Sequence, residues 1–355
     1  MPPATILHIS DLHLGGSLDD TGRSGRGTFW SAFRGGSPVM QSHNPFILAI
    51  LHDAILSASR ALNSGDEFDF TVVTGDISTR ANSDDRFAFA RKFLLQRFAG
   101  TGALDHGLGL PADRIACVPG NHDKLEEITL ARYLTAFKTL PPALPYAMTR
   151  TARNGQSITF YGIDSNAYRE GNIAIGEITP STLPWLSAQL TNVAAGRRKA
   201  GDPLRVLLLH HHPCNLERLK RQGLGQRLVD ALGRRRLTRL EQAEQLLDAC
   251  RGRIDVIMHG HEHFPVVFQD ERSGCLVISA GSTSEFHGAC GGNSFHGIAI
   301  EKDRIRVLQF DYTGGRFPPG REWTYDLASG TLEGPPDEEP VRRSTLRAAL
   351  RWLKG

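Results

Sequence analysis

The strongest constraint on the fold of this chain is a short apolar run that ends at chemically active polar side chains, a pattern that occurs five times. The runs are residues 5–9 before Asp11, 69–74 before Asp76, 114–118 before Asn121, 205–209 before His210, and 254–258 before His259. Each run predicts a buried strand followed by a turn. Stretches with apolar residues at helical spacing lie at 46–61, 85–98, 126–140, 181–193 and 240–250. This alternation predicts βαβ units and a mainly parallel sheet covered by helices, hence an α/β fold.

The pattern changes after Gly260, where short strand-like pieces follow one another. They occupy residues 266–269, 275–279, 297–301 and 304–310, with turn residues between them, and they predict antiparallel sheet. A chain of 355 residues is long enough for one large domain or two smaller ones. We expect one domain over 1–325, with 15–44 and 215–239 as loop or lid insertions. A linker and a short basic helix are expected over 326–355.

The polar side chains at the strand ends are the ligand types of a metal site. Ligand sites in open α/β sheets form outside the carboxyl ends of the strands, so these groups should converge. Mixed Asp, Asn and His ligation suits divalent zinc, manganese, iron or cobalt, and no cysteine lies in the motifs. The ligands are too many for one ion but fit two ions that share a carboxylate. Two ions about 3.5–4 Å apart can clamp an in-line displacement at phosphorus.

Five ordered motifs carry a resemblance to a known family. They are Asp11-x-His13, Gly75-Asp76, Gly120-Asn121-His122-Asp123, His211-x-Pro213 and Gly260-His261-x-His263. In this order they resemble the five blocks of the calcineurin-like metallophosphoesterases. The resemblance implies a four-layer αββα sandwich with mixed sheets, in which the later antiparallel strands would form the second sheet. Residues 183–190 resemble the helix that precedes the fourth block in the branch that hydrolyses cyclic nucleotides and glycerophosphodiesters.

The resemblance also implies a ligand set and a mechanism. One metal ion would be bound by Asp11, His13, Asp76 and His263, and the other by Asp76, Asn121, His211 and His261. Asp76 would bridge the ions, because a carboxylate has two oxygens to offer. A hydroxide held between the metals would attack phosphorus. Asn121 and His122 would contact the substrate, with His122 as proton donor and Asp123 orienting it or raising its pKa.

The fourth motif leaves an alternative open, because three consecutive histidines precede Pro213. The family pattern His-x-Pro selects His211. Neighbouring side chains on a strand face opposite ways, so His210 and His212 should point away from the direction of His211. We therefore expect His211 as the ligand, with His210 or His212 as the alternative.

The charge distribution bears on the substrate. The total is only +3, but the segment 215–239 carries eight basic and two acidic residues and 341–355 carries five basic residues and no acidic one, which leaves the rest of the chain at −8. The first basic segment starts next to the histidine cluster, and we expect Arg218 and Arg221 in it to bind a small anionic phosphoester. The acidic remainder argues against nucleic acid as a partner, since a nuclease needs a strongly basic surface.

A metal-dependent phosphodiesterase is the function that these observations favour. The alternatives are a nuclease, a phosphomonoesterase or protein phosphatase of the same superfamily, or a pyrophosphatase acting on a nucleotide-lipid. A non-catalytic scaffold is the least favoured, because every ligand position is filled. The protein phosphatases of the superfamily carry arginines beside the Asp and Asn motifs, and the nearest candidate in this chain is Arg80.

Composition sets the remaining expectations. The chain has no apolar run as long as the ~18 residues of a membrane span, and its N-terminus lacks the pattern of a leader. The five cysteines are scattered and odd in number, which argues against a disulfide framework. We therefore expect a cytoplasmic protein. The C-terminal basic helix could contact a membrane surface or a partner, and the sequence leaves the oligomeric state open.

Overall fold

The structure is a computed structural model, and it describes most of the chain. The described residues are 2–14, 43–62, 65, 67–79, 84–99, 105–124, 127–137, 140, 143–167, 175–191, 193, 196, 201–213, 240–284 and 292–335. Three expected features lie outside these residues in whole or in large part: the two insertions, the C-terminal helix, and the pair Arg218 and Arg221 that we expect to bind substrate. No helix in the described segments is long and apolar enough to cross a membrane.

Strands and helices alternate along most of the chain. In chain order the strands are β1 Ala4–Ile9, β2 Phe70–Thr74, β3 Phe98–Ala99, β4 Asp105–His106, β5 Ile115–Val118, β6 Tyr146–Thr151, β7 Ser157–Gly162, β8 Leu204–Leu208, β9 Val256–His259, β10 Val266–Gln269, β11 Leu276–Ser279, β12 Ser294–Ile300, β13 Arg304–Asp311, β14 Pro319–Asp326 and β15 Thr331–Glu333. The helices are α1 Pro45–Ala61, α2 Asp84–Leu95, α3 Glu127–Ala136, α4 Thr182–Leu190 and α5 Ala243–Cys250. A short 3₁₀ turn, Ala112–Arg114, precedes β5. The five strands predicted before the polar motifs are all present.

Two mixed sheets form the centre of the molecule. The first has the order β15-β14-β13-β12-β1-β2-β5, and the second has the order β10-β11-β9-β8-β7-β6. In the first sheet β1, β2 and β5 are parallel, and β12 pairs antiparallel with the other edge of β1. In the second sheet β7, β8, β9 and β11 are parallel, with β6 and β10 antiparallel at its edges.

This topology corrects one expectation from the sequence. The late antiparallel strands β12–β15 extend the first sheet, whereas the second sheet is built mostly from the parallel strands β7, β8, β9 and β11. The reason is that β1 uses only one edge for β2, and its free edge accepts β12 with Ala4 opposite Ile300. The pairing of β14 with β15 continues to residue 333, past the boundary expected at 325.

Three apolar layers hold the sheets and helices together. Side chains alternate along β1, so that Leu7 and Ile9 face the helices α1–α3 and Ile6 faces the second sheet. A separate cluster, which includes Leu207 and Leu246, joins the outer face of the second sheet to α4 and α5. Both faces of the central strands are therefore covered, which explains why β1, β2, β5, β8 and β9 are buried along their whole length. The predicted four-layer αββα sandwich is confirmed.

Candidate metal centre

The loops after β1 and β2 are joined by main-chain hydrogen bonds, and this brings the first two motifs together. Asp11 N donates to Gly75 O at 3.0 Å, and His13 N donates to Asp76 O at 2.9 Å. The two strands run parallel, so their carboxyl ends lie at the same edge of the first sheet. The motifs after β5, β8 and β9 reach the same region through side-chain contacts.

Asp11, His13 and His263 form what we name the first donor group. His13 Nε2 lies 3.2 Å from His263 Nε2, and His263 Nε2 lies 3.1 Å from Asp11 Oδ1. All three side chains are buried. Two ring nitrogens and a carboxylate oxygen therefore converge on one point, and all three residues belong to the set that the family resemblance implies for the first metal.

Asn121, His210 and His261 form the second donor group. Asn121 Oδ1 lies 3.0 Å from His210 Nε2 and 3.1 Å from His261 Nδ1. The two ring nitrogens are 3.2 Å apart. An amide oxygen and two imidazole nitrogens thus converge on a second point.

Asp76 lies between the two donor groups. Its Oδ2 is 3.4 Å from His210 Nε2 in the second group. Ligand atoms of Asp76 also cluster within 4.8 Å with those of His13 and His122, and in another combination with those of Asp11 and His210. The carboxylate expected to bridge two ions is therefore the one that adjoins both groups.

The structure places His210, not His211, in the second donor group. His210 Nδ1 bonds to Thr74 O at 2.7 Å, which directs Nε2 towards Asn121. His211 Nδ1 instead faces Ser165 Oγ at 3.0 Å, although its ring lies 4.3 Å from that of His261. The geometry therefore corrects the expectation drawn from the motif spacing and favours the alternative, His210. The physical reason is that His210 continues the side of β8 that faces the other sheet, the side of the apolar residues Val206 and Leu208.

The electrostatics of the site favour bound cations. Burial lowers the pKa of His13 to about 4, helped by His122, and burial with His210 lowers the pKa of His261 to about 4. Both rings are therefore neutral at pH 7 and keep a lone pair, as metal ligation requires. Burial disfavours a charged His210, but the carboxylates of Asp76 and Asp11 outweigh it and raise its pKa to about 9. These carboxylates create a negative potential where the ions are expected.

The donor chemistry fits two divalent cations. His13 Nε2 and His263 Nε2 face each other at 3.2 Å. There is room for only one proton between the two nitrogens, so at least one of them presents a lone pair to the other. A cation would accept both lone pairs and the Asp11 oxygen at once. Imidazole, amide and carboxylate ligands suit zinc, manganese, iron or cobalt without distinguishing among them.

Backbone strain is concentrated at the same residues. Among the described residues, the non-glycine residues with positive φ are Asp11 at 51°, His13 at 48°, Asp76 at 48°, His261 at 78° and His263 at 53°. Each belongs to the predicted ligand set. A non-glycine residue in this region costs about 1–2 kcal/mol. Such conformations persist where the surrounding structure holds them, and they cluster at functional sites.

Two motif glycines are explained by close packing at the site. A Cβ added to Gly120 would collide with the Asp76 carboxylate, and one added to Gly260 would collide with Ser10 and Asp11. Larger residues would therefore push the carboxylates out of position. The glycines next to Asn121 and His261 are requirements of the site geometry.

His122 and Asp123 have different surroundings. His122 N donates to Asp76 Oδ1 at 2.8 Å, and its Nδ1 bonds to Thr79 O at 2.8 Å. The expected contact between Asp123 and His122 is not among the hydrogen bonds of these described residues. Asp123 accepts instead from the backbone N–H groups of Ile77, Ser78 and Gly120 at 3.1, 2.8 and 3.0 Å.

Asp123 is therefore a connection between the loops after β2 and β5, and a main-chain carbonyl orients His122. Burial, reinforced by the charge of Asp76, raises the pKa of Asp123 to about 7, although the three N–H donors oppose the shift. The sequence motif placed Asp123 beside His122 along the chain, but it could not show which way the carboxylate points.

Comparison with known families decides the classification. Residues 4–265 match the profile of the calcineurin-like phosphoesterases. The chain belongs to the calcineurin-like phosphoesterase family. The match covers all five motifs, and membership in this family supports a hydrolase that depends on two metal ions.

Two of the solved structures that are similar to this chain have low sequence identity to it. A dimetal phosphatase from Danio rerio is 15% identical with a TM-score of 0.53, and the match covers 92% of this chain and 100% of that one. Vacuolar Protein Sorting 29 from Cryptosporidium parvum is 13% identical with a TM-score of 0.36, over 92% and 100% of the two chains. A search of curated proteins finds no match. The first of these structures supports the fold.

Proposed function

We propose that this chain hydrolyses a phosphodiester with two divalent metal ions bound by the two donor groups. The observation that carries the proposal is the position of Asp76, whose carboxylate adjoins both groups. One shared carboxylate would hold two ions close enough to act on one phosphoryl group. The family match supports the reaction class, and the substrate is part of the proposal.

Each ion would have its own three ligands and would share Asp76 with the other ion. Asp11, His13 and His263 would bind one ion, Asn121, His210 and His261 the other, and Asp76 both. When bound, two such ions supply Lewis-acid stabilisation of phosphoryl oxygens and lower the pKa of water towards neutrality. The protein keeps the donors in place through the paired loops and through the bond from His210 Nδ1 to Thr74 O.

His122 is the proposed proton donor to the leaving-group oxygen. Its Nδ1 is engaged by Thr79 O, so Nε2 is the nitrogen that can exchange a proton with substrate. Its ring lies 4.9 Å from that of His13, at the edge of the first donor group. The hydrogen bond from the backbone N–H of His122 to Asp76 Oδ1 keeps this residue beside the carboxylate that would bridge the ions.

The charge near the Asn121 motif favours a diester over a monoester. A monoester dianion needs more positive charge than a diester monoanion. Lys124, which follows the motif directly, is paired with Asp164 at 2.7 Å, so its charge is already compensated. The helix α4, which carries the segment similar to the phosphodiesterase branch, packs its buried Leu186 and Leu190 against the second sheet.

The test compares bis-p-nitrophenyl phosphate with p-nitrophenyl phosphate in the presence of Mn²⁺. We expect metal-dependent hydrolysis with a higher kcat/KM for the diester. The Asp76→Ala variant should lose activity on both esters, and chelation should abolish the activity of the wild-type protein. An Asp53→Ala variant, altered at an exposed position of α1, serves as the control.

Each result bears on a different part of the proposal. A clear preference for the monoester would refute the phosphodiesterase assignment while keeping the metal-dependent hydrolase. No metal-dependent activity on either ester would refute the enzymatic function.

A further inference from the structure

Residues Asp164, Ser165 and Asn166 contact two of the three segments that supply the second donor group, those that carry Asn121 and His210. They lie just after β7, from which Ile163 alone separates them, and they are buried. Their side chains reach the loop 119–124, which carries Asn121 and His122, and the segment after β8, which carries His210. We name them the 164–166 tripeptide.

Asp164 and Asn166 hold the two ends of the loop 119–124. At one end, Lys124 Nζ donates to Asp164 Oδ2 at 2.7 Å. At the other end, Asn166 Nδ2 donates to Pro119 O at 2.8 Å. The two anchors are linked, because Asp164 Oδ1 accepts from Asn166 N and Asn166 Nδ2 at 2.9 Å each. The loop is thereby fastened on both sides of Asn121.

Ser165 holds the segment after β8. Its Oγ accepts from His210 N and His211 N, both at 3.2 Å. Since these bonds use both lone pairs, the hydroxyl proton is directed to His211 Nδ1 at 3.0 Å. The hydroxyl is fully satisfied, and it determines where the backbone of His210 lies.

The first donor group has separate support. Ser282 Oγ donates to Asp11 O at 2.8 Å, and Ser284 Oγ donates to Leu12 O at 2.7 Å. These serines follow β11, at a different strand end from the 164–166 tripeptide. The two halves of the centre therefore rest on different side chains.

We infer that the 164–166 tripeptide positions Asn121 and His210 for the second metal ion. This rests on the proposed function, since it assumes the two-metal centre. A buried ion pair such as Lys124–Asp164 is a weak source of net stability, because desolvation offsets the attraction. Its main consequence is geometric: it fixes the loop that presents Asn121. Residues that orient metal ligands commonly change metal affinity about 10–100-fold when they are altered.

The experiment titrates metal-free protein with Mn²⁺ and counts free Mn²⁺ by electron paramagnetic resonance. The wild type should bind two ions per chain. Asp164→Asn should keep one affinity near the wild-type value and weaken the other about 10–100-fold. Ser284→Ala, which removes support from the loop that carries Asp11, is the matched control. It should weaken the affinity for the first ion instead of the second.

A double-mutant cycle identifies the affected half. Asp164→Asn should add little to the loss in Asn121→Ala, because both act on the second ion, whereas its effect should be additive with that of His263→Ala. The Lys124→Met/Asp164→Leu variant tests a purely structural role. It replaces the ion pair with apolar side chains. We expect this variant to fold but to bind the second ion as weakly as Asp164→Asn does.

The outcomes separate the inference from the proposed function. Wild-type affinity for both ions in Asp164→Asn and in Lys124→Met/Asp164→Leu would refute the inference and leave the proposed function intact. A wild type that binds two ions without hydrolysing either ester, while Asp164→Asn loses one ion, would refute only the function. A wild type that binds fewer than two ions would refute both.

Discussion

His210 Nε2 lies 3.0 Å from Asn121 Oδ1, and these two side chains come from strand ends 89 residues apart. The contact joins the first sheet, which carries Asn121 after β5, to the second, which carries His210 after β8. The second donor group is thus built across the interface of the two sheets. Its geometry depends on how the sheets pack.

The first prediction distinguishes the two neighbouring histidines. His210→Ala should remove one of two bound Mn²⁺ ions and lower kcat on bis-p-nitrophenyl phosphate about 10²-fold or more, since a metal ligand is lost. His211→Ala should keep two ions, because its Nδ1 is engaged by Ser165 Oγ. Metal content and kcat are measured for both variants. Loss of the ion in His211→Ala alone would support the assignment made from the motif.

The comparison of these histidines shows where sequence reasoning reaches its limit. Strand β8, the ligand types and the alternation of neighbouring side chains could all be predicted, because they depend on local pattern. The direction in which His210 points depends on which face of β8 meets the other sheet. Both faces are buried and apolar, so the local sequence does not distinguish them.

Long-range pairing limited the prediction of the fold in the same way. The nine strands expected from the sequence and α4 were predicted to within three residues of their observed bounds, since helical and strand periodicities are local. The pairing of β12 with β1 joins distant parts of the chain, and nothing in either strand specifies the partner. The role of the 164–166 tripeptide could not be predicted, because Asp, Ser and Asn after a strand also suit an ordinary turn.

The second prediction concerns the proton donor. His122→Ala should lower kcat about 10²–10⁴-fold while both metal ions stay bound. The loss should be larger for a diester with a poor alkoxide leaving group than for one with p-nitrophenolate, because only the former needs a proton. His52→Ala, on α1, is the control. Equal losses for both leaving groups would contradict the assigned role.

The third prediction concerns Asp123. Asp123→Ala leaves three buried N–H donors without their acceptor, those of Ile77, Ser78 and Gly120, and should lower the free energy of unfolding by about 3 kcal/mol. Asp123→Asn keeps an acceptor oxygen and should cost less. Urea denaturation of metal-free protein measures both. Unchanged stability with a fall in kcat like that of His122→Ala would favour the catalytic role expected from the sequence.

The fourth prediction concerns the pH dependence of hydrogen bonds that connect the two sheets through Asp69. Asp69 accepts from Thr5 N at 2.9 Å in the first sheet and from Arg153 N and Nε at 3.0 and 2.8 Å at the β6–β7 turn. Burial raises its pKa, but the bonds from Arg153 and Thr5 outweigh burial, and the net shift is downward.

A lowered pKa in the folded state means that ionised Asp69 stabilises the protein above the unfolded pKa of about 3.9. That stabilisation is lost as pH falls through the folded pKa. Asp69→Asn should therefore lower the free energy of unfolding by about 2–3 kcal/mol at pH 7. The difference from wild type should shrink below about pH 4. Asp53→Asn, at a side chain that is 83% exposed, is the control and should show no such difference. Urea denaturation at each pH measures the free energy of unfolding. A loss in Asp69→Asn that stays constant from pH 7 to the acid range would show that the charge of Asp69 does not stabilise the fold.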